Sequence, residues 1–122
     1  MKDKKLEKLL KLIAQGSDLN EADLSGMDFS GENLRGADFS GARLVGCDFR
    51  NANCSCANFE SCDLTGSNFE GADVRYANFN EAKIGSTIFE NKDLFKITKI
   101  HQEPLEGGKV AKSKKKPAKQ PT

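Results

Sequence analysis

The sequence predicts an all-β solenoid: a quadrilateral β-helix of about four coils, closed by a short N-terminal α-helix and followed by a disordered basic tail. Three observations predict it. An apolar residue returns at every fifth position from Leu19 to Leu94, sixteen times in succession. A small residue stands two places before most of these centres, and glycine stands two places after seven of them. The centres alternate between phenylalanine and a smaller aliphatic residue over most of the run.

A five-residue apolar period suits neither regular element. On an α-helix each step advances roughly 140°, which would scatter the side chains around the whole circumference. In a straight strand an odd step places successive side chains on opposite faces. The chain therefore bends once per repeat. With the apolar centre written as position i, strand alternation turns i and i−2 inward and i−1 outward. The predicted core is Leu24, Phe29, Leu34, Phe39, Leu44, Phe49, Cys54, Phe59, Leu64, Phe69, Val74, Phe79, Ile84 and Phe89. Glycine at i+2 supplies the bend, because it tolerates dihedrals that strain other residues.

The alternation also fixes the number of sides. Three or five sides would stack Phe on Leu, whereas an even number keeps like on like. Four sides make a 20-residue coil, with columns Phe29/Phe49/Phe69/Phe89 and Leu24/Leu44/Leu64/Ile84. The outward column Asp23, Arg43, Asp63, Lys83 then alternates in sign from rung to rung, which favours the stacking.

Taken in chain order, residues 1–16 form an amphipathic capping helix over 3–15. Leu6, Leu9, Leu10 and Ile13 share one face, lysines occupy the other, and Gly16 stands at the C-terminal stop. A solenoid end needs such a cover. The alternative use of this face is a membrane surface. Residues 17–96 form the β-helix, and residues 97–122 a cap segment and a Lys-rich tail. Phe95, Ile97 and Ile100 are expected over the last coil, and disorder from about Pro104 onward. Four units break the inner pattern with Met27, Glu32, Thr87 and Lys92, and Ile88 breaks the outer one. Glu32 predicts a local distortion or a partner from the N-terminal segment. At Thr87, Ile88 and Lys92 regularity is expected to fade.

The units ADLSG (22–26), ADFSG (37–41), ANFES (57–61), ADVRY (72–76) and ANFNE (77–81) resemble the motif of pentapeptide-repeat proteins. The resemblance covers about residues 17–96. It implies a right-handed quadrilateral β-helix, a bacterial source, and for some members a mimicry of duplex DNA that protects a topoisomerase, DNA gyrase.

Charge is distributed unevenly. Residues 17–96 carry 14 acidic and 7 basic side chains, while residues 1–16 net +3 and 97–122 net +5. No catalytic motif is present: the single histidine, His101, lies beyond the repeats, and the outward aspartates lack the burial that tunes an acid. No catalytic residue, cofactor or metal site is expected. Cys54 is a core centre and Cys47 and Cys62 small inner residues, while Cys56 sits at a bend. The Cys54–Ser55–Cys56 pair diverges and has no histidine near it, against zinc. Inert thiols place the chain in a reducing cytoplasm.

What remains is a non-catalytic interaction or scaffold module with a protein partner, acting as a monomer or as a dimer through a solenoid end. Arg35, Arg75 and Tyr76 mark one wall as the candidate surface, with Val45 and Ile88 as exposed apolar points elsewhere. Mimicry of DNA for a topoisomerase is the alternative, and its charge falls short. About 19 Å of duplex carries roughly 11 charges, against −7 spread here over four walls. A second alternative is an adaptor tethered to membrane or polyanion by its basic ends. The lysine tail makes at most a weak nucleic-acid contact, having no arginine or aromatic residue. No stretch is long enough to cross a bilayer.

Overall fold

The computed structural model describes residues 4–90 and 109–111. Three elements occur in chain order: α1 (Lys4–Ala14), β1 (Ile88–Glu90) and β2 (Lys109–Ala111). Between α1 and β1 the chain bends too often for long strands. It makes single parallel bridges, and all ten join residues 20 apart, from Asp23 with Arg43 to Asn68 with Ile88. The 20-residue coil is therefore real. On the wall of Asp28, Asp48, Asn68 and Ile88 the stack is four rungs deep.

Each rung is held from both sides. The Phe29 N–H donates upward to the Asp48 carbonyl (2.7 Å), and the Asp48 N–H donates back to the Met27 carbonyl (3.0 Å). Every corner residue at i+2 from position 16 to 86 lies in the left-handed region, with φ between 57° and 78°. The corner closes when the next small residue donates to the preceding centre, as Ala42 N–H does to the Phe39 carbonyl (2.9 Å). At Gly41 a side chain would also run into Asn20 of the rung below.

The interior is a phenylalanine ladder. Phe29, Phe49, Phe69 and Phe89 stack at centroid separations of 4.5 to 5.2 Å, within 16° of parallel. Phe39, Phe59 and Phe79 stack on the opposite wall at 5.3 and 5.1 Å. The two columns meet edge to face across the axis, for example Phe59 with Phe69 at 5.5 Å and 90°. Both geometries are favoured by the ring quadrupole. All seven rings are buried, as are the other predicted centres except Leu24, which is half-buried in the first coil with one neighbouring rung instead of two.

The inner column Met27, Cys47, Ser67, Thr87 shows how polar groups enter such a core. The Ser67 hydroxyl donates to the Leu44 carbonyl (2.6 Å) and accepts from the Cys47 N–H (2.9 Å). The Thr87 hydroxyl donates in the same way to the Leu64 carbonyl (2.7 Å) and is fully buried. Regularity therefore does not fade at Thr87, because its hydroxyl uses an acceptor that every coil presents.

The two ends differ. Leu6 and Leu9 of α1 are buried in the same cluster as the ladder, with Leu10 and Ile13 packed against it, so the apolar face of α1 covers the first coil. The helix ends in a Schellman arrangement around Gly16: Ser17 N–H donates to the Leu12 carbonyl (3.1 Å) and Gly16 N–H to that of Ile13 (3.0 Å). At the other end β2 pairs parallel with β1, Phe89 opposite Val110, and adds a fifth rung to that wall. Disorder from Pro104 does not hold at residues 109–111, where the open edge of the last coil accepts a strand. Lys92, Leu94, Phe95, Ile97, Ile100, His101 and the rest of the tail lie outside the described residues. No helix among the described residues is long and apolar enough to cross a membrane.

Candidate functional site

The outward i−1 residues do more than decorate the walls. At twelve of these positions, from Asp18 to Asn78, the Oδ1 atom accepts the N–H two residues on, as Asp38 does from Ser40 (3.0 Å) and Asn58 from Glu60 (3.0 Å). This is the Asx turn, which a short side chain with a carbonyl-type oxygen makes and Glu or Gln does not. Asp and Asn serve it equally, so the choice between them sets only the charge of the wall. The near-exclusive use of Asp and Asn at i−1, never Glu, carried that signal in the sequence.

The four walls consequently differ in charge. The wall centred on Leu24, Leu44, Leu64 and Ile84 carries the alternating column, with Arg43 3.8 Å from Asp23 and 3.6 Å from Asp63. The wall centred on Phe29 and Phe49 carries a bidentate pair, Arg50 on Asp48, at 2.9 and 2.8 Å. The Arg50 guanidinium holds the Asp48 carboxyl below the usual range. The wall of Leu19, Phe39, Phe59 and Phe79, with its following corner, presents Asp18, Glu21, Asp38, Glu60 and Glu81, all exposed, and no Lys or Arg.

The wall centred on Leu34, Cys54 and Val74 is the one that brings Arg35, Arg75 and Tyr76 together. Arg35 and Arg75 stand in one column, two rungs apart, with Ser55 between them. Arg35 donates to the Ser55 hydroxyl (2.9 Å), which donates to Asn53 (2.7 Å). Ser55 is thereby buried at an outward position. Arg75 is fixed on Asp73 by two bonds of 2.9 and 2.7 Å. Each guanidinium is thus tethered to a side chain of the same wall. Tyr76 is at the adjoining corner, directly above Cys56, and is 86% exposed. Its backbone is left-handed, with φ 63°. An aromatic residue at such a corner carries strain of about 1–2 kcal/mol relative to glycine, which takes this place in the same column at Gly36.

Val45 and Ile88 are not exposed apolar points. Both are half-buried; Val45 N–H donates to the Ser25 hydroxyl (3.0 Å), and Ile88 lies in the bridged column beside β2. Glu32 does not distort its coil. Its backbone keeps the rung bonds, with Asn53 N–H donating to its carbonyl (2.9 Å), and its side chain is half-buried at the α1 end. Cys47, Cys54 and Cys62 are buried and Cys56 exposed. Burial pushes the thiols of Cys54 and Cys62 up to about 12 and that of Cys47 to about 11. No group of His, Cys, Asp and Glu among the described residues could hold a metal ion.

A family model for pentapeptide repeats matches in eight copies over residues 17–53 and 52–91. Among the solved structures that match, two share the coil over much of this chain. One is a pentapeptide repeat protein of the Arabidopsis thaliana thylakoid lumen, 39% identical over 57% of this chain and 48% of that one, with a TM-score of 0.56. The other is HetL, a pentapeptide repeat protein involved in heterocyst differentiation regulation in the cyanobacterium Nostoc. It is 22% identical over 75% of this chain and 38% of its own, with a TM-score of 0.64. The chain spans about half the length of the first and less of the second. No curated protein matches it.

Proposed function

The chain belongs to the pentapeptide-repeat family, whose fold is a right-handed quadrilateral β-helix, and from that premise we propose that it is a non-catalytic interaction module binding a protein partner through the wall of Arg35, Arg75 and Tyr76. The observation that carries this reading is Tyr76. It is a large aromatic side chain, almost wholly exposed, kept on a strained corner where its own column elsewhere uses glycine or cysteine. Packing does not account for it. Tyrosine and arginine are the residues that most often dominate binding energy at protein interfaces. Here both arginines are already held in place by Asp73 and Ser55, so they lose little freedom on binding. The wall aspartates and asparagines accept the N–H groups of their own turns, which suits a contact surface better than catalysis. A reducing compartment such as the cytoplasm suits the unpaired thiols.

Affinity capture with the wild-type chain, Arg75→Glu and Tyr76→Ala tests it. Loss of the captured partner in both variants, with the fold retained, supports the wall. Capture unchanged in both removes the wall from consideration.

One observation favours the second reading, mimicry of duplex DNA for a topoisomerase: the cation-free wall of Asp18, Glu21, Asp38, Glu60 and Glu81. Its five charges are fewer than half of the roughly 11 on about 19 Å of duplex, and Arg43, Arg50 and Arg75 interrupt the other walls. A supercoiling assay with DNA gyrase separates the two readings. Inhibition by the wild-type chain that disappears in Asp38→Asn/Glu60→Gln would favour mimicry over the Tyr76 wall.

A further inference from the structure

Among the described residues, one wall has more outward cations than outward acids. It is the wall of units 32–36, 52–56 and 72–76, which carries Arg35 and Arg75 against Asp73. The remaining carboxylate of these units, Glu32, occupies an inner position and is half-buried. Elsewhere Asp23 and Asp63 balance Arg43 and Lys83, and the other two walls are acidic. Folding does not impose this difference. Asn33 and Asn53 make the Asx turns that aspartate makes on other walls, accepting from Arg35 N–H (3.2 Å) and Ser55 N–H (3.0 Å). Arg43, Arg50 and Arg75 each meet a carboxylate, whereas Arg35 meets the Ser55 hydroxyl and no carboxylate among the described residues. On the reading of this wall as the contact surface, we propose that the partner meets it with an acidic peptide segment. One Asp or Glu side chain of that segment sits between Arg35 and Arg75, and the side chain next to it lies against Tyr76. The bond to Ser55 carries the Arg35 guanidinium up to the second rung, while Asp73 holds that of Arg75 in the third. They therefore stand one rung, about 4.8 Å, apart along the axis. A single carboxylate reaches both with N–H···O bonds of about 2.8 Å. A guanidinium has five N–H donors, of which Arg35 spends one and Arg75 two on the wall itself. The acidic walls repel such a segment, which confines it to this one.

Titration of the full isotope-labelled chain with the end-blocked peptides Ser-Glu-Phe-Ser, Ser-Gln-Phe-Ser and Ser-Lys-Phe-Ser, followed by NMR, tests the assignment. The glutamate peptide is expected to shift the amide signals of Arg35, Ser55, Cys56, Arg75 and Tyr76 saturably. It should bind about tenfold more tightly than the glutamine peptide, with the margin shrinking as salt rises. The lysine peptide should leave these signals in place. Arg35→Gln changes an exposed side chain, and Asn53→Asp keeps its Asx turn while adding a carboxylate to the cluster of Ser55 and Arg35. In each variant the preference for glutamate over glutamine should fall to about twofold or less. Absence of saturable shifts at these amides, equal binding of the glutamate and glutamine peptides, or a preference that survives both variants would overturn the proposal. Failure of the wall itself reads differently, as affinity capture that survives Arg75→Glu and Tyr76→Ala, and it removes the acidic segment as well. Capture lost in those two variants but kept in Arg35→Gln and Asn53→Asp leaves the wall standing and removes the acidic segment alone.

Discussion

The phenylalanine ladder and the Tyr76 wall are built on the same repeat, yet they obey opposite rules. Inside, each position is fixed by the ones 20 residues before and after it, and Phe49 is held between Phe29 and Phe69 in nearly parallel stacks. Outside, the repeat constrains only a short oxygen-bearing side chain at i−1 and a left-handed residue at i+2. The side chains at i+1 and i+2 are otherwise free to vary. The interior therefore records how the chain folds, and the proposed contact surface is sought among the departures on its walls. Arg35, Arg75 and Tyr76 are informative because the fold does not require them.

The contrast is sharpened first by removing a ring. Phe49→Ala should cost about 3–5 kcal/mol, since it opens a hole in the middle of a stack that rungs on both sides hold apart. Denaturant unfolding gives the figure, and a loss below 1 kcal/mol would mean that the stack is loose. Ser67→Ala should follow at about 2–3 kcal/mol. Its hydroxyl satisfies two buried backbone groups, the Leu44 carbonyl and the Cys47 N–H, and alanine leaves both without it. Ser67→Cys, matching Cys47 and Cys62 in the neighbouring inner positions, should recover part of the loss.

The buried thiols supply a pH test. An ordinary thiol titrates near 9, whereas Cys54 and Cys62 titrate at about 12 in the folded chain and Cys47 at about 11. Above pH 9 the unfolded chain therefore gives up protons that the native chain keeps. The stability these thiols contribute is complete below pH 9 and is lost as pH rises toward 12. Unfolding midpoints at pH 8 and pH 10.5 should differ, and the difference should shrink in Cys54→Val. At pH 8 a maleimide should label one of the four cysteines in the native chain, Cys56, and all four in urea. Rapid native labelling of a second thiol would contradict the burial of the inner columns.

Much of the architecture was legible in the sequence because apolar spacing alone excludes a straight strand and a helix. The even-sided coil followed from the Phe/aliphatic alternation, and the ladder realises it residue by residue. Three things were harder to read. The Asx turns were written in the choice of Asp or Asn over Glu, but an exposed aspartate is equally expected on any solvated wall. The half-burial of Val45 was not legible from its own outward position, nor was the bond from its N–H to the Ser25 hydroxyl 20 positions away. The β2 rung comes from a lysine-flanked Val110 that composition alone assigns to a tail, and it pairs 21 residues beyond β1 instead of 20. Of the candidate site, the column of Arg35 and Arg75 was visible from spacing. The anchoring of Arg35 on Ser55 was not, because a serine at an outward i+1 position announces no partner.

The most direct test joins stability and binding in one variant, Tyr76→Gly. Glycine relieves the left-handed corner at some cost in unfolded-chain entropy, for a net gain of about 0.5–1 kcal/mol. In Tyr76→Gly the thermal midpoint is expected to rise while capture of the partner is lost. A lower midpoint would show that Tyr76 supports the coil, and a higher midpoint with capture intact would show that its wall is not where the partner binds.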